Sequence, residues 1–170
     1  MRIPSDLPLV ERSAVRVVVL DADGRILLLR VHEPMHPEQG MCWELPGGGI
    51  DPSETYLDAA IRELREETGL AVARRDIGPP TWRRRCTFQH AGARRLQDEV
   101  VVTAQLHERA PAVQELDQLS DERETFRGFQ WWTVSDVETS TQRFFPGRLP
   151  RLLRKYLEGE RIDEPFEFFS

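Results

Sequence analysis

Cysteine is scarce in this 170-residue chain: Cys42 and Cys86 are the only two. That is too few for a disulfide framework, and a cytoplasmic, reducing setting is the expectation. Long apolar runs are absent as well; none approaches the ~20 residues needed to span a bilayer, so no membrane association is expected. Met1 to Arg12 carries Pro4, Asp6, Pro8 and Glu11 with no apolar centre, so it does not read as a secretory leader. Positive charge is not in excess: the formal net charge is −6, which argues against general nucleic-acid binding. Repeats and interdomain linkers are missing too. With 39% hydrophobic and 31% charged residues, the chain is expected to form one globular domain over residues 13–160. Residues 1–12 are expected to be a flexible segment and 161–170 a C-terminal tail.

What is present is an alternation of strand and helix signals. Ala14–Leu20 is a β-branched run, Asp21-Ala22-Asp23-Gly24 supplies a turn, and Arg25–Arg30 returns as a hairpin partner. A loop with two prolines and two histidines follows from Val31 to Met41, and Trp43–Leu45 reads as a short strand. Further strands are expected near 71–75, at Trp82–Gln89, at Asp98–Glu108 and at Gly128–Thr133. Ser135 is expected to cap a short helix, and Pro150–Gly159 to form a terminal helix with Leu152, Leu153, Tyr156 and Leu157 facing inward. Gln114–Glu124 reads as an exposed acidic loop. The order predicts an α/β fold, a mixed sheet between helices.

The most informative stretch is Gly48–Leu70, GGIDPSETYLDAAIRELREETGL. Glu63, Glu66 and Glu67 fall at i, i+3 and i+4, and ~100° per residue puts all three on one helix face. Like charges at that spacing cost an isolated helix a few tenths of a kcal/mol per pair. Retaining them points to a positive use, and hard oxygen donors suit Mg²⁺ or Mn²⁺. Leu57, Ala60, Ile61, Leu64 and Thr68 form an adjacent, mostly apolar face for packing. Asp51 is expected as the N-cap, with Pro52 at the first helical position and Glu54 at N3, and Gly69 as the C-terminal stop. Leu45-Pro46-Gly47-Gly48-Gly49 reads as a side-chain-poor loop whose backbone could approach a phosphate or offer a carbonyl to a metal.

Gly48, Glu54, Arg62, Glu63, Leu64, Glu66, Glu67, Gly69 and Leu70 fill every position of the pattern G-x5-E-x7-R-E-U-x-E-E-x-G-U, with U apolar. The chain therefore resembles the Nudix hydrolases, in the box itself and in the preceding Trp43-Glu44-Leu45-Pro46. The resemblance implies an α/β/α sandwich and a Mg²⁺-dependent hydrolase (Mn²⁺ as the alternative) that cleaves a phosphoanhydride in a nucleoside diphosphate linked to another moiety. It implies Glu63, Glu66, Glu67 and the Gly47 carbonyl as metal ligands, with Glu66, Glu67 and Arg62 in the catalytic set and Arg62 orienting the neighbouring carboxylate. It implies Glu54 as a brace of the loop or a contact to the metal through water, and a distant general base or extra ligand at Glu124, with Glu122 second. A small-molecule nucleotide is the implied partner, and a homodimer is compatible with the family.

Outside the box, Arg30 and Arg84 are the candidate phosphate contacts, although Arg83-Arg84-Arg85 and Arg94-Arg95 read more readily as solvated strand faces. His32 and His36 lack zinc-site spacing. Cys42 reads as a buried structural thiol, and Trp82, Trp131 and Trp132 as core more than as base-stacking platforms. Two other classes compete: a nucleotide-sensing binding module of the same fold, disfavoured by the intact box, and a diphosphate isomerase, disfavoured because Cys42 has no matching surroundings. The sequence names no substrate: nucleoside triphosphates, nucleotide sugars and capped RNA ends all fit.

Overall fold

The computed structural model describes residues 7–32, 40–90, 92–114 and 126–168. The β-branched run forms β1, Leu9–Leu20, and the return strand β2, Ile26–His32, is paired antiparallel to it. The turn between them is organised by Asp21, whose buried carboxylate accepts from the backbone N–H of Asp23 (2.9 Å), Arg25 (2.8 Å) and Ala110 (3.0 Å). Then come β3, Met41–Glu44, and β4, Gly47–Gly49, ahead of the first helix, α1, Tyr56–Thr68. A long hairpin follows, β5 at Trp82–His90 and β6 at Ala93–Gln105, then β7, Phe126–Trp132. The chain ends with α2, Val134–Thr139; β8, Arg143–Phe145; α3, Leu149–Leu157; and two short strands, β9 at Ile162–Asp163 and β10 at Glu167–Phe168.

These strands make one mixed sheet in the order β10-β5-β6-β1-β2-β3-β8, with β4 on β1, β7 on β2 and β9 on β5. The β1–β6 and β3–β8 pairs are parallel, and β1–β2 and β5–β6 antiparallel. Period-two alternation sends β1 side chains to opposite faces. Val15, Val17 and Val19 pack with Leu27, Val102, Ala104 and with Ala59, Ala60 and Leu64 of α1. Val18 packs on the other face with Leu28, Trp43, Trp82 and Val101, and with Val137 of α2 and Leu149, Leu153 and Tyr156 of α3. A sheet buried on both faces between helices is the expected α/β/α sandwich.

Several local expectations are corrected. The helix does not start after Asp51. Its N-cap is Thr55, in a capping box with Asp58. Two overlapping capping patterns compete here: Glu54 accepts the Asp51 N–H at 3.1 Å, as the first requires, while Arg62 also binds it through Nε (2.7 Å) and Nη2 (2.9 Å). Residues 51–54 are left as a turn closed by the Glu54 N–H on the Asp51 carbonyl, 2.9 Å. No strand forms at 71–75; a single 3-10 turn occupies Arg74–Asp76, and the sheet regains this stretch only at Ile77, which bridges Ala104. Thr133, not Ser135, caps α2, its hydroxyl accepting from the Asp136 N–H at 3.1 Å.

The ends are also more engaged than expected. Leu9–Arg12 pair with Arg94–Gln97, so part of the segment expected to be flexible lies in the sheet. Ile162–Asp163 and Glu167–Phe168, in the expected tail, pair with β5. No helix among the described residues is long and apolar enough to cross a membrane.

Candidate functional site

The glycine loop leaves β3 and returns to β1. Arg16 faces Gly47 in the β1–β4 register, and Gly47 adopts φ +132°. A Cβ there would stand 2.2 Å from the Val15 carbonyl oxygen, so only glycine allows this approach. From the loop the chain enters α1, whose start is fixed by the Thr55–Asp58 capping box and whose end is fixed by Gly69 at φ +71°, donating to the Arg65 carbonyl at 3.0 Å. Ala59, Ala60, Leu64 and Thr68 are buried against the sheet, and this presents the acidic edge of the helix to the loop.

The carboxylates of that edge are held individually. Glu67 accepts the Gly47 backbone N–H at 2.7 Å. Glu63, itself buried, accepts from Arg62 Nη1 at 2.7 Å and lies where a Cβ on Gly48 would be, Oε1 2.5 Å from that position. Glu66 accepts from the same Arg62 nitrogen at 3.3 Å. Arg62 completes its fork on Glu54 and on the Gly49 carbonyl, 2.8 Å. Arg62 thus joins the loop to three box glutamates. The Glu54 hydrogen bonds and those to Glu63 outweigh burial and raise the Arg62 pKa, while Arg62 holds Glu54 below the usual carboxylate range. Glu54 also accepts the Asp51 N–H at 3.1 Å, the loop brace expected of it.

No group of three or more His, Cys, Asp or Glu among the described residues converges as a ready-made metal cage. The donor set still suits a hard divalent cation: carboxylate oxygens of Glu63 and Glu67 are turned onto the glycine loop, and the missing Gly48 side chain makes the space that Glu63 occupies. Glu122 and Glu124 lie outside the described residues, as does His36.

The arginines separate. Arg83 and Arg85 are exposed, and Arg84 is buried between them, as strand alternation requires. Arg84 is therefore not a phosphate rim. Its Nη1 binds Glu99 at 2.6 Å, its Nη2 donates to Glu167, and its Nε lies 3.6 Å from Glu164. The guanidinium also sits over Phe145, 4.6 Å from the ring centroid. Arg30 is exposed and lies 5.8 Å from the Trp43 ring centroid. Trp82 and Trp132 are core residues, and Trp131 packs partly buried on the opposite face. Burial pushes the Cys42 thiol up to about 12 and the Cys86 thiol up to about 11, so neither is a ready nucleophile at neutral pH. That weighs against the cysteine-dependent isomerase.

Sequence reasoning passed over a buried polar strip on the α2/α3 side of the sheet. Arg16 Nε binds Glu99 Oε2 at 3.3 Å, Gln97 donates to the same oxygen at 2.5 Å, and Arg12 Nε donates to Gln97 at 2.5 Å. A signal existed: Arg16 interrupts a valine run, and Glu99 and Gln97 occupy strand positions of the same parity as buried Val101. Charged residues on an inward-facing parity mark a polar site in a core.

With this geometry in view, the family model for the NUDIX domain matches residues 10–153, most of the chain. The chain belongs to the NUDIX domain family. Among curated relatives, an RNA pyrophosphohydrolase of Novosphingobium aromaticivorans is 40% identical over 61 residues, 36% of this chain and 36% of the relative. A CTP pyrophosphohydrolase of Escherichia coli is 39% identical over 56 residues, 33% of this chain and 40% of the relative. The matched stretch thus spans well under half the length of either relative. Among solved structures, a MutT protein from Bacillus halodurans superposes with a TM-score of 0.62 at 17% identity, covering 94% of this chain and 90% of its own. The NUDIX domain of Shewanella oneidensis NrtR, complexed with ADP ribose, gives 0.59 at 22% identity, covering 87% and 89%. These neighbours show the shared NUDIX fold.

Proposed function

We propose that this NUDIX protein is a divalent-metal-dependent pyrophosphohydrolase that splits the phosphoanhydride of a nucleoside diphosphate linked to another moiety. One observation carries the reading: an intact box whose Glu63 and Glu67 are turned onto the Gly47–Gly48 loop, with Arg62 tying Glu54, Glu63 and Glu66 together. The relatives that share this stretch bear pyrophosphohydrolase names, which supports the same class of bond.

In this reading Glu63, Glu66, Glu67 and the Gly47 carbonyl hold Mg²⁺ or Mn²⁺. A bound divalent cation neutralises diphosphate charge and lowers the pKa of an attacking water. The chain's own part is orientation. Arg62 restrains the carboxylates, and the Glu67–Gly47 hydrogen bond sets the loop against the helix, so little reorganisation is left for the reaction. Glu124 remains the proposed general base, with Arg30 a proposed phosphate contact. The substrate is proposed to be a free nucleotide, and the two unpaired buried thiols favour a cytoplasmic setting.

The test is a nucleotide panel with Mg²⁺ or Mn²⁺, reading released phosphate or pyrophosphate. Hydrolysis abolished by EDTA, and reduced at least ~100-fold in Glu67→Gln with an unchanged melting curve, is expected if that carboxylate is in the reacting set. Full activity in Glu67→Gln would remove α1 from the chemistry. Calorimetric binding without hydrolysis across the panel would favour a sensing module.

A further inference from the structure

We propose that Arg16 is a positioning residue that sets the Gly47 carbonyl against the acidic edge of α1, with Glu99 as its anchor; this rests on the metal-dependent reading above. Arg16 lies in the middle of β1, where Val15, Val17, Val18 and Val19 are fully buried. A guanidinium there is costly to desolvate unless every contact is made. Its contacts converge on the loop. Nη1 donates to the Leu45 carbonyl at 3.2 Å and to the Gly47 carbonyl at 3.1 Å, while Nε holds Glu99 at 3.3 Å.

The Gly47 residue is consequently gripped from two sides. Its N–H is taken by Glu67 of the helix at 2.7 Å, and its carbonyl by Arg16 of the sheet. It has no room to retreat, because the Val15 carbonyl stands where a Cβ would be. A carbonyl oxygen has two lone-pair directions. Arg16 uses one, and the other would remain for a divalent cation that Glu63 and Glu67 would hold.

The anchor is equally well defined. Glu99 has a fully buried side chain, and Arg84 Nη1 (2.6 Å) and Gln97 Nε2 (2.5 Å) fix its oxygens independently of Arg16. The positive charge beside the carbonyl is offset by Glu99 and by Glu44, 3.8 Å from Arg16 Nη1, so the arginine need not repel a cation at full strength. A planar fork can serve two carbonyls and a carboxylate together, which a lysine ammonium cannot do in the same plane.

The experiment is Mn²⁺ titration of the full chain by electron paramagnetic resonance without nucleotide, on wild type, Arg16→Gln, Arg16→Lys and Glu99→Gln. Melting curves in EDTA and KM for a hydrolysed nucleotide at saturating Mn²⁺ accompany it. The expected result is a Mn²⁺ Kd raised roughly 10-fold or more in Arg16→Gln and Glu99→Gln, as for lost partners of a ligating group, with a smaller rise in Arg16→Lys. KM at saturating metal should stay near the wild-type value. Unchanged Mn²⁺ affinity in the folded variants overturns the inference, as does a rise in KM with affinity intact, which would make Arg16 a substrate contact. If all three variants fail to fold, Arg16 is a stability residue and the inference also falls. Wild type that neither binds Mn²⁺ nor hydrolyses any nucleotide would instead defeat the underlying metal-dependent reading.

Discussion

Gly47 and Gly48 are neighbours with opposite reasons for being glycine. A methyl on Gly47 meets backbone: the Val15 carbonyl at 2.2 Å, with φ at +132°. Neither can yield without moving β1, so Gly47→Ala is expected to lose about 2 kcal/mol or more of stability, seen as a lower urea midpoint. A methyl on Gly48 first meets the Glu63 carboxylate, at 2.5 Å. That group ends a flexible side chain and can swing aside, but it is a proposed metal ligand. Gly48→Ala should therefore keep the urea midpoint of wild type to within ~1 kcal/mol while its Mn²⁺ affinity and turnover fall. Equal stability losses in the two variants would contradict this division.

At the scale of the element, α1 owes its frame to its caps. Thr55 Oγ1 accepts the Asp58 N–H at 3.2 Å, and Asp58 Oδ2 accepts the Thr55 N–H at 3.1 Å. Thr55→Ala should cost about 1 kcal/mol in chemical denaturation at pH 7. The hydrogen bond from the Thr55 side chain, then the one from Arg74, pull the Asp58 pKa down to about 2 from its ordinary 3.8. A carboxyl with a depressed folded pKa stabilises the fold above its unfolded pKa and ceases to do so as pH falls through the folded one. The melting-temperature gap between wild type and Asp58→Ala should thus be full above about pH 4 and close as pH drops toward 2. Circular dichroism melts at pH 6, 4 and 2.5 would show it; a gap independent of pH would mean the box does not depend on the ionised carboxylate.

Across the whole molecule, the sheet is stitched by charge where the apolar core gives out. Arg84 binds Glu99 of β6 and Glu167 of β10, and Glu164 between β9 and β10 accepts from Trp82 Nε1 at 2.7 Å and Arg148 Nη1 at 2.8 Å. The last residues of the described chain are thereby tied to the strand hairpin and to the start of α3. Arg84→Leu removes one partner and strands buried carboxylates, at a cost of roughly 3–5 kcal/mol, measurable by denaturant titration. The released C-terminal strands should also gain hydrogen exchange ahead of β1. A loss below ~1 kcal/mol would show Glu99 to be adequately held by Arg16 and Gln97 alone.

The acidic edge of α1 was legible without any structure because helical geometry is local: 100° per residue places Glu63, Glu66 and Glu67 together wherever the helix packs. The same holds for the β1–β2 hairpin, whose turn residues adjoin it, and for Gly69, whose left-handed φ ends α1. Cap choice was not legible at Asp51 and Thr55, since each has an acid three residues on that accepts its N–H, Glu54 and Asp58, and only the folded backbone starts the helix at the second. Nor was the fate of Arg84, because a run of three arginines looks solvated until strand parity turns one inward. Arg16 and Glu99 stand 83 positions apart and become partners only when β1 lies parallel beside β6. Local periodicity carries the identity of the acidic helix, whereas pairing between distant strands decides which charges share a low-dielectric interior and must find each other there.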